Sequence, residues 1–242
     1  MLGIQFEDLT RNQGHSCQGL EFPANFFFAA AARRLADAPM TSGLTQFATS
    51  KSSERLPTYG GAVHYSFGAV PGREPELLVL GMGGTIDKDY PRSTKGYAFE
   101  IDFPAADRVL HELPFFALPF ATRSIVRKDS TEIGDAERDL LETAVKGATC
   151  SRILVTHGTD TMIETARRLQ KSGAVKGKTV AFTGAMKPER FKDSDATFNL
   201  GTAVAATGLL PAGSVVVAMG GRIVDAAKCS RDEASGLFVE KK

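Results

Sequence analysis

The stretch that decides the fold is Val155-Thr156-His157-Gly158-Thr159-Asp160-Thr161-Met162-Ile163-Glu164-Thr165. Before it, Arg152 to Val155 is a short apolar run that predicts a strand, and after it apolar residues recur at helical spacing. The polar residues therefore lie at a strand-to-helix turn. Thr161 and Glu164 form a capping-box pattern, which explains a hydroxyl and a carboxylate at the start of a helix. That pattern leaves Thr159 and Asp160 unexplained, and we expect them to face a crevice where free helix amides favour anionic groups.

Outward from this stretch, strand-like and helical segments alternate from residue 76 onward. Compact apolar runs predict strands at residues 77–80, 120–126, 152–155, 179–182 and 215–217. Helical spacing predicts helices at residues 103–113, from Asp135, after Thr161 and after Asp195, whose side chain is expected to cap the last of them. This alternation predicts an α/β fold with a doubly wound, mostly parallel sheet and right-handed crossovers.

Residues 1–75 differ from the rest because they lack sustained periodicity. We expect them to form an irregular N-terminal extension, poorly ordered or loosely docked, ahead of one α/β domain at residues 76–242. Arg, Ser and Ala are plentiful in the extension, which leaves organellar targeting open. Its acidic residues are nevertheless too many for a clean transit peptide.

Composition excludes several classes of function. The 29 lysines and arginines nearly balance the 28 acids, and a net charge of +1 gives no reason to expect nucleic acid or an anionic membrane as a partner. The three cysteines are scattered, which argues against a disulfide framework and a zinc site. No apolar run is long enough to span a bilayer. We therefore expect a soluble, cytoplasmic protein that binds a small molecule and needs no metal or cofactor.

Unusual polar residues follow the predicted strands rather than precede them. Because the carboxyl ends of parallel strands open on one edge of a sheet, these residues are expected to line one crevice. They are Thr85, Ser130, Thr159 with Asp160, Thr183, and the segment 222–228.

The glycine turn at residues 81–84 separates two interpretations of this crevice. A third glycine at the spacing of a dinucleotide fingerprint is absent, so a nucleotide site is the weaker hypothesis. The turn exposes Thr85, which suits a nucleophile held against a substrate carbonyl. His157 is expected to be a packed structural residue with no catalytic role.

Several of these segments, in this order, resemble the motifs of bacterial-type L-asparaginases. They are Leu80 to Ile86, residues 157–165, Thr183-Gly184-Ala185-Met186-Lys187-Pro188, and Gly221-Arg222 with Lys228. The resemblance covers about residues 76–240 and is most specific in residues 157–165. It implies the family's N-terminal domain in a short, single-domain form.

The resemblance implies roles at the matching positions. Thr85 matches the threonine that attacks the side-chain amide of asparagine, which gives an acyl-enzyme and releases ammonia. Thr159, Asp160 and Lys228 match a second triad, in which the lysine polarises the threonine and the aspartate also receives the substrate's α-ammonium group. Burial would favour a neutral lysine and the pairing with Asp160 would oppose it. The order in which the two threonines act therefore stays open.

Other positions match the residues that bind the substrate. Ser130, following Asp129, matches the serine that binds the α-carboxylate, and Gly84 and Gly158 flank the bound amino acid. A tyrosine that assists the nucleophile corresponds to either Tyr90 or Tyr97. The expected substrate is L-asparagine, with L-glutamine as a second candidate. We also expect a homo-oligomer, because a single-domain form exposes the face that a second domain would cover.

Two alternatives remain open at this stage. A non-catalytic module that binds asparagine or aspartate is favoured by the indistinct sequence around Lys228. An ammonia-generating amidotransferase subunit is built on the same core, but the strand-rich N-terminal pattern of that class is not evident in residues 1–75.

Overall fold

The computed structural model describes residues 74–92, 96 and 98–241, together with the backbone of residues 65–68. The chain divides into two units, Met1–Leu56 and Pro57–Lys242, and all described residues belong to the second. The predicted extension therefore lies almost wholly outside the described residues. Strand β1, at Tyr65–Gly68, is the exception, because it pairs with the sheet although it precedes residue 76. For the rest of residues 1–75 the predicted boundary stays a prediction.

Strands and helices alternate through most of the described chain. The strands after β1 are β2 Leu77–Gly83, β3 Lys88–Asp89, β4 Glu100–Ile101, β5 Phe120–Lys128, β6 Arg152–Thr156, β7 Thr179–Thr183, β8 Val215–Met219, β9 Arg222–Asp225, β10 Cys229–Arg231 and β11 Phe238–Glu240. The helices are α1 Ala105–Glu112, α2 Asp135–Gly147, α3 Met162–Lys171 and α4 Ala196–Leu209. Two short 3-10 helices cover Thr85–Asp87 and Ser130–Glu132.

The main sheet has seven strands in the order β1-β5-β2-β6-β7-β8-β9. The five central strands are parallel, and the edge strands β1 and β9 are antiparallel to their neighbours. The predicted mostly parallel α/β sheet is thus confirmed. The chain moves from β2 outward to β5 and then crosses back to β6, so the direction of winding reverses between β2 and β6. Ligands of open α/β sheets bind in the crevice at such a switch point.

Apolar side chains are buried on both faces of the sheet, which explains why its strands are continuous apolar runs. One cluster joins Val155, Phe182 and Val217 to α2 and α3. The other joins Leu154 and Ala181 to α1 and α4. Within the described residues, no helix is both long and apolar enough to cross a membrane.

One crossover differs in hand from the prediction. Helices α1 and α4 cover the same face of the sheet, but α1 leads from β2 to β5 while α4 leads in the opposite direction, from β7 to β8. The β7–α4–β8 connection therefore has the opposite hand to the other three. Parallel crossovers are nearly always right-handed. If the other three connections are right-handed, the β7–α4–β8 connection is left-handed. The long loop of residues 184–195 carries the chain to the other face before α4 begins.

Asp195 and Asn199 hold that loop in place. Asp195 precedes α4 as predicted, but its carboxylate does not cap the helix. It accepts hydrogen bonds from the N–H groups of Met186 and Lys187 and from Nδ2 of Asn199. Buried Asn199 also donates to the Gly184 carbonyl and accepts from the Gly220 N–H, at 3.0 Å each. The amide thereby ties together the ends of β7 and β8.

Candidate active site

Two glycines bring the ends of β2 and β6 into backbone contact at the switch point. Gly84 has φ +90° and ψ −174°, a conformation open essentially to glycine alone. A Cβ built on Gly84 would overlap the Cα and N atoms of Gly158. A Cβ on Gly158 would lie 2.6 Å from the Cβ of Ser130. Both positions therefore require glycine, and the crevice is walled by backbone.

Thr85 directly follows this contact and begins a 3-10 helix. Its backbone is held from two sides, because the preceding Gly84 N–H donates to the Lys128 carbonyl at 3.0 Å and the Thr85 carbonyl accepts from the Lys88 N–H. The side chain is partly buried. Among the described residues its hydroxyl has no hydrogen-bond partner.

Asp87 supports the same turn from inside the protein. Its Oδ1 accepts a hydrogen bond of 2.8 Å from the Ala105 N–H at the start of α1, whereas its Oδ2 is buried without a partner in the described structure. Burial raises the pKa of Asp87 to about 8, against the smaller lowering effects of the Ala105 hydrogen bond and of Arg108. The carboxyl group is therefore protonated at neutral pH, and the helix start is tied to the Thr85 turn by a neutral group.

This raised pKa predicts a pH dependence of stability. The folded state keeps a proton that the unfolded state releases, so the stabilisation is complete below pH 3.8 and is lost as pH rises to about 8. Across that window the free energy of unfolding should fall by up to about 1.4 kcal/mol per pH unit. Asp87→Asn cannot ionise and should remove this slope, which urea unfolding at several pH values would measure.

The control for Asp87 is a carboxylate that the fold leaves in water. Asp193 is exposed, and the hydrogen bond from Lys187 lowers its pKa, so Asp193→Asn should not flatten the falling slope. Parallel stability profiles for wild type and Asp87→Asn would contradict the role assigned to burial.

Asp129 and Ser130 occupy the end of β5 and face the turn after β6. Asp129 caps the short helix Ser130–Glu132 and lies 3.3 Å from Lys88 Nζ. Partial burial alone would raise the pKa of Asp129, but the Thr131 N–H and Lys88 together hold it below the usual value. Ser130 is buried, and its Oγ accepts from the Asp160 N–H at 3.3 Å.

The capping box predicted at the start of α3 does not form, because its two side chains bind other partners. The Thr161 hydroxyl donates to the Ser130 carbonyl at 2.7 Å instead of capping its own helix. Glu164 forms an ion pair with Arg138 at 3.1 Å. Partners from other segments thus outcompete the local pattern. Thr161 acts as a tie between the ends of β5 and α3.

Thr159 and Asp160 lie in the turn between β6 and α3, as predicted. Thr159 is partly buried and, within the described residues, its hydroxyl is without a hydrogen-bond partner. The Asp160 carboxylate is exposed and pairs with Arg231, whose Nη1 lies 3.0 Å from Oδ1.

The structure places Lys228 away from Thr159 and Asp160, contrary to the prediction. The cation that pairs with Asp160 is Arg231. Strand β9 starts beside Met219 and ends beside Val216, so it carries the chain back to the opposite edge of the sheet. Lys228 follows it there and lies 3.2 Å from Glu240. The next strand, β10, returns toward α3, and three further residues of extended chain, about 10 Å, bring Arg231 to Asp160.

The tyrosine positions are settled only in part. Tyr90 is 69% exposed, and its ring contacts Phe99 at a centroid distance of 5.4 Å. Within the described residues it makes no hydrogen bond to Thr85. Tyr97 lies outside the described residues, so the choice between the two tyrosines stays a prediction.

His157 is fully buried between β6 and its turn. Its Nδ1 lies 2.8 Å from the Gly158 carbonyl, and its Nε2 is without a partner in the described structure. Burial lowers the pKa of His157 to about 4, so the ring is neutral at pH 7. This placement agrees with a packed structural residue behind the crevice wall.

The crevice thus combines the hydroxyls of Thr85, Ser130 and Thr159 with the Asp160–Arg231 ion pair beside a backbone wall. A hydroxyl nucleophile and nearby hydrogen-bond donors are the groups that acyl transfer requires. The described residues contain no group of three or more His, Cys, Asp or Glu that could hold a metal ion.

Comparisons with known proteins find similarity to asparaginases. The glutaminase-asparaginase of Acinetobacter glutaminasificans is 28% identical over 139 residues, which cover 53% of this chain and 40% of that protein. The thermostable L-asparaginase from Thermococcus kodakarensis is 29% identical with a TM-score of 0.59, covering 68% of this chain and 50% of the other. A probable cytoplasmic L-asparaginase from Campylobacter jejuni is 25% identical with a TM-score of 0.58, covering 69% and 53%.

The chain therefore spans about half the length, or less, of these relatives. Its match to the family itself is more extensive. Residues 76–238 match the asparaginase family, in the part described as asparaginase, N-terminal. Because this match covers more than half of the chain, the protein belongs to the asparaginase family through its N-terminal domain.

Proposed function

We propose that this chain hydrolyses the side-chain amide of L-asparagine to L-aspartate and ammonia, with L-glutamine as a second substrate. The observation that carries the proposal is the position of Thr85. Thr85 directly follows Gly84, whose backbone contacts Gly158, and the chain belongs to the asparaginase family. Ser130 and Asp160 lie on the other side of the same contact and supply polar groups for an amino acid.

In the proposed reaction, Oγ of Thr85 attacks the amide carbon and forms a tetrahedral intermediate. Collapse of the intermediate breaks the C–N bond, the hydroxyl proton passes to the leaving nitrogen, and ammonia departs. Water then hydrolyses the ester on Thr85 to release aspartate. Helix α3 begins directly behind Thr159 and Asp160, and the positive end of its dipole favours negative charge in the crevice.

Recognition of the amino acid is assigned to the same side of the crevice. Asp160 has a second carboxylate oxygen that is free of Arg231 and suits an ammonium group. The hydroxyl of Ser130 suits a carboxylate. Both assignments rest on the resemblance to asparaginases and on the contact between Ser130 and the Asp160 N–H.

A non-catalytic amino-acid-binding module is the second candidate. The observation that favours it is the arginine beside Asp160, because a guanidinium cannot serve as a base.

One assay separates the two functions. The purified full chain is supplied with L-asparagine or L-glutamine, and ammonia and the dicarboxylic acid are both quantified. We expect equimolar ammonia and L-aspartate from asparagine. Binding of L-aspartate in a calorimeter without any ammonia release would refute hydrolysis and support the binding module. Neither binding nor turnover would refute both functions.

A further inference from the structure

Arg231 reaches the crevice because strand β10 runs along α3. Arg167 of α3 binds the chain before β10 and at its first residue. Its Nε donates to the Ala226 carbonyl at 3.1 Å and its Nη2 donates to the Cys229 carbonyl. The chain then continues along the helix toward its N-terminal end. Arg231 is consequently delivered to Asp160, whereas Lys228 stays near Glu240.

Three contacts fix the guanidinium of Arg231. Nη1 donates to Oδ1 of Asp160 at 3.0 Å, and Nε donates to the Gly236 carbonyl at 3.3 Å. The guanidinium carbon lies 6.0 Å from the ring centroid of Phe238, its partner across the β10–β11 pair. Gly236 and Phe238 belong to the β10–β11 hairpin, so the side chain is held by its own hairpin as well as by the ion pair.

The kind of cation matters for the chemistry. Arginine side chains remain protonated in proteins, so a guanidinium donates hydrogen bonds but cannot accept a proton. A lysine amine at the same place could act as a base after losing its proton. Among the described residues, Asp160 has no ion-pair partner other than Arg231.

We propose that Arg231 is a positioning residue that acts through Asp160 and supplies no base to Thr159. The inference rests on the proposed function, since it concerns the same crevice. Thr159 keeps its proton, and the first attack falls to Thr85. Arg231 fixes one oxygen of the Asp160 carboxylate and leaves the other to the ammonium group of the substrate.

Two substitutions test this assignment through different readouts. Arg231→Lys keeps a cation but introduces a group that can lose its proton. Its rate of ammonia release should rise about tenfold relative to wild type as pH approaches the ordinary range of lysine, because general bases typically contribute this much or more. Arg231→Met removes the partner of Asp160. It should raise KM for asparagine about fivefold, the scale of a partly exposed ion pair, with kcat changed less.

Lys171→Met is the matched control, because Lys171 lines the same groove as Asp160 and Arg231 without an ion pair among the described residues. It should leave both the pH profile and KM unchanged. Thermal unfolding of each variant checks that the fold is retained. A pH profile of Arg231→Lys superimposable on that of wild type, together with an unchanged KM in Arg231→Met, would overturn the inference.

If neither the wild-type chain nor any variant releases ammonia, the proposed hydrolysis is refuted. The role of Arg231 can still be tested in that case. Calorimetric binding of L-aspartate then carries the test. Weaker binding by Arg231→Met than by wild type and Lys171→Met would support the positioning role. Equal affinities, or no binding by the wild-type chain, would overturn it.

Discussion

Thr85→Ala should lower ammonia release from asparagine by about 10³-fold or more, the scale at which loss of a covalent nucleophile reduces turnover. The fold should survive, because the Thr85 hydroxyl has no hydrogen-bond partner among the described residues and its structural contacts are made by backbone atoms. The free energy of unfolding should change by no more than about 1 kcal/mol. Steady-state ammonia release and urea unfolding measure the two effects separately.

Thr85→Ser is the matched control, because it retains a hydroxyl in the same turn. It should keep measurable activity. Wild-type turnover in Thr85→Ala would assign the attack to another group and refute the proposed role of Thr85. Thr159→Ala is the informative comparison: if the inference on Arg231 is correct, it should reduce turnover less than Thr85→Ala does.

Gly84→Ala should destabilise the chain by more than about 3 kcal/mol, since it combines backbone strain with an overlap that cannot be relieved by rotating a side chain. The added Cβ would meet the backbone of Gly158, and φ at this position is +90°. Any folded fraction should also lose activity, because separating β2 from β6 moves Thr85 away from Thr159 and Asp160. Urea unfolding and the ammonia assay measure both consequences.

Gly201→Ala provides the control for this substitution. Gly201 lies within α4, and nothing lies within 4 Å of a Cβ built there. Alanine should stabilise this helix by about 0.5–1 kcal/mol. Similar stability changes at residues 84 and 201 would show that the Gly84–Gly158 contact is not a structural requirement.

The central sheet was predictable because each of its parallel strands carries its own local pattern. The apolar runs at residues 77–80, 152–155 and 179–182 are buried on both faces, so no partner needs to be known to recognise them. The edge strands β1 and β9 are defined by pairing with a neighbour rather than by such a run. The hand of the β7–α4–β8 crossover likewise depends on which face α4 covers, and the amphipathic pattern of a helix does not encode this.

Local patterns failed where distant residues compete for the same groups. Thr161 and Glu164 have the spacing of a capping box, yet the Ser130 carbonyl and Arg138 take their side chains. Asp195 has a suitable position for a cap, but the loop of residues 184–195 presents more N–H groups to its carboxylate than the helix does. A capping motif is short-range evidence, and these partners lie outside the few residues that the motif spans.

The positions of Thr85, Ser130, Thr159 and Asp160 followed from one rule, that polar residues after parallel strands share an edge. The rule does not extend past β8, because β9 runs in the opposite direction. Lys228 was assigned on this segment from the resemblance to asparaginases. Arg231 was missed because it lies in β10, a three-residue strand defined by its pairing with β11 rather than by an apolar run.

The Gly84–Gly158 contact also constrains how this protein can be made. Its two walls belong to strands that are neighbours in space, but α1, β5 and α2 lie between them in the sequence. While the chain is being synthesised, Thr85 emerges from the ribosome long before the wall opposite it. The crevice therefore cannot form in any nascent chain that stops short of β6, and Thr85, the proposed nucleophile, spends that interval without the wall that faces it.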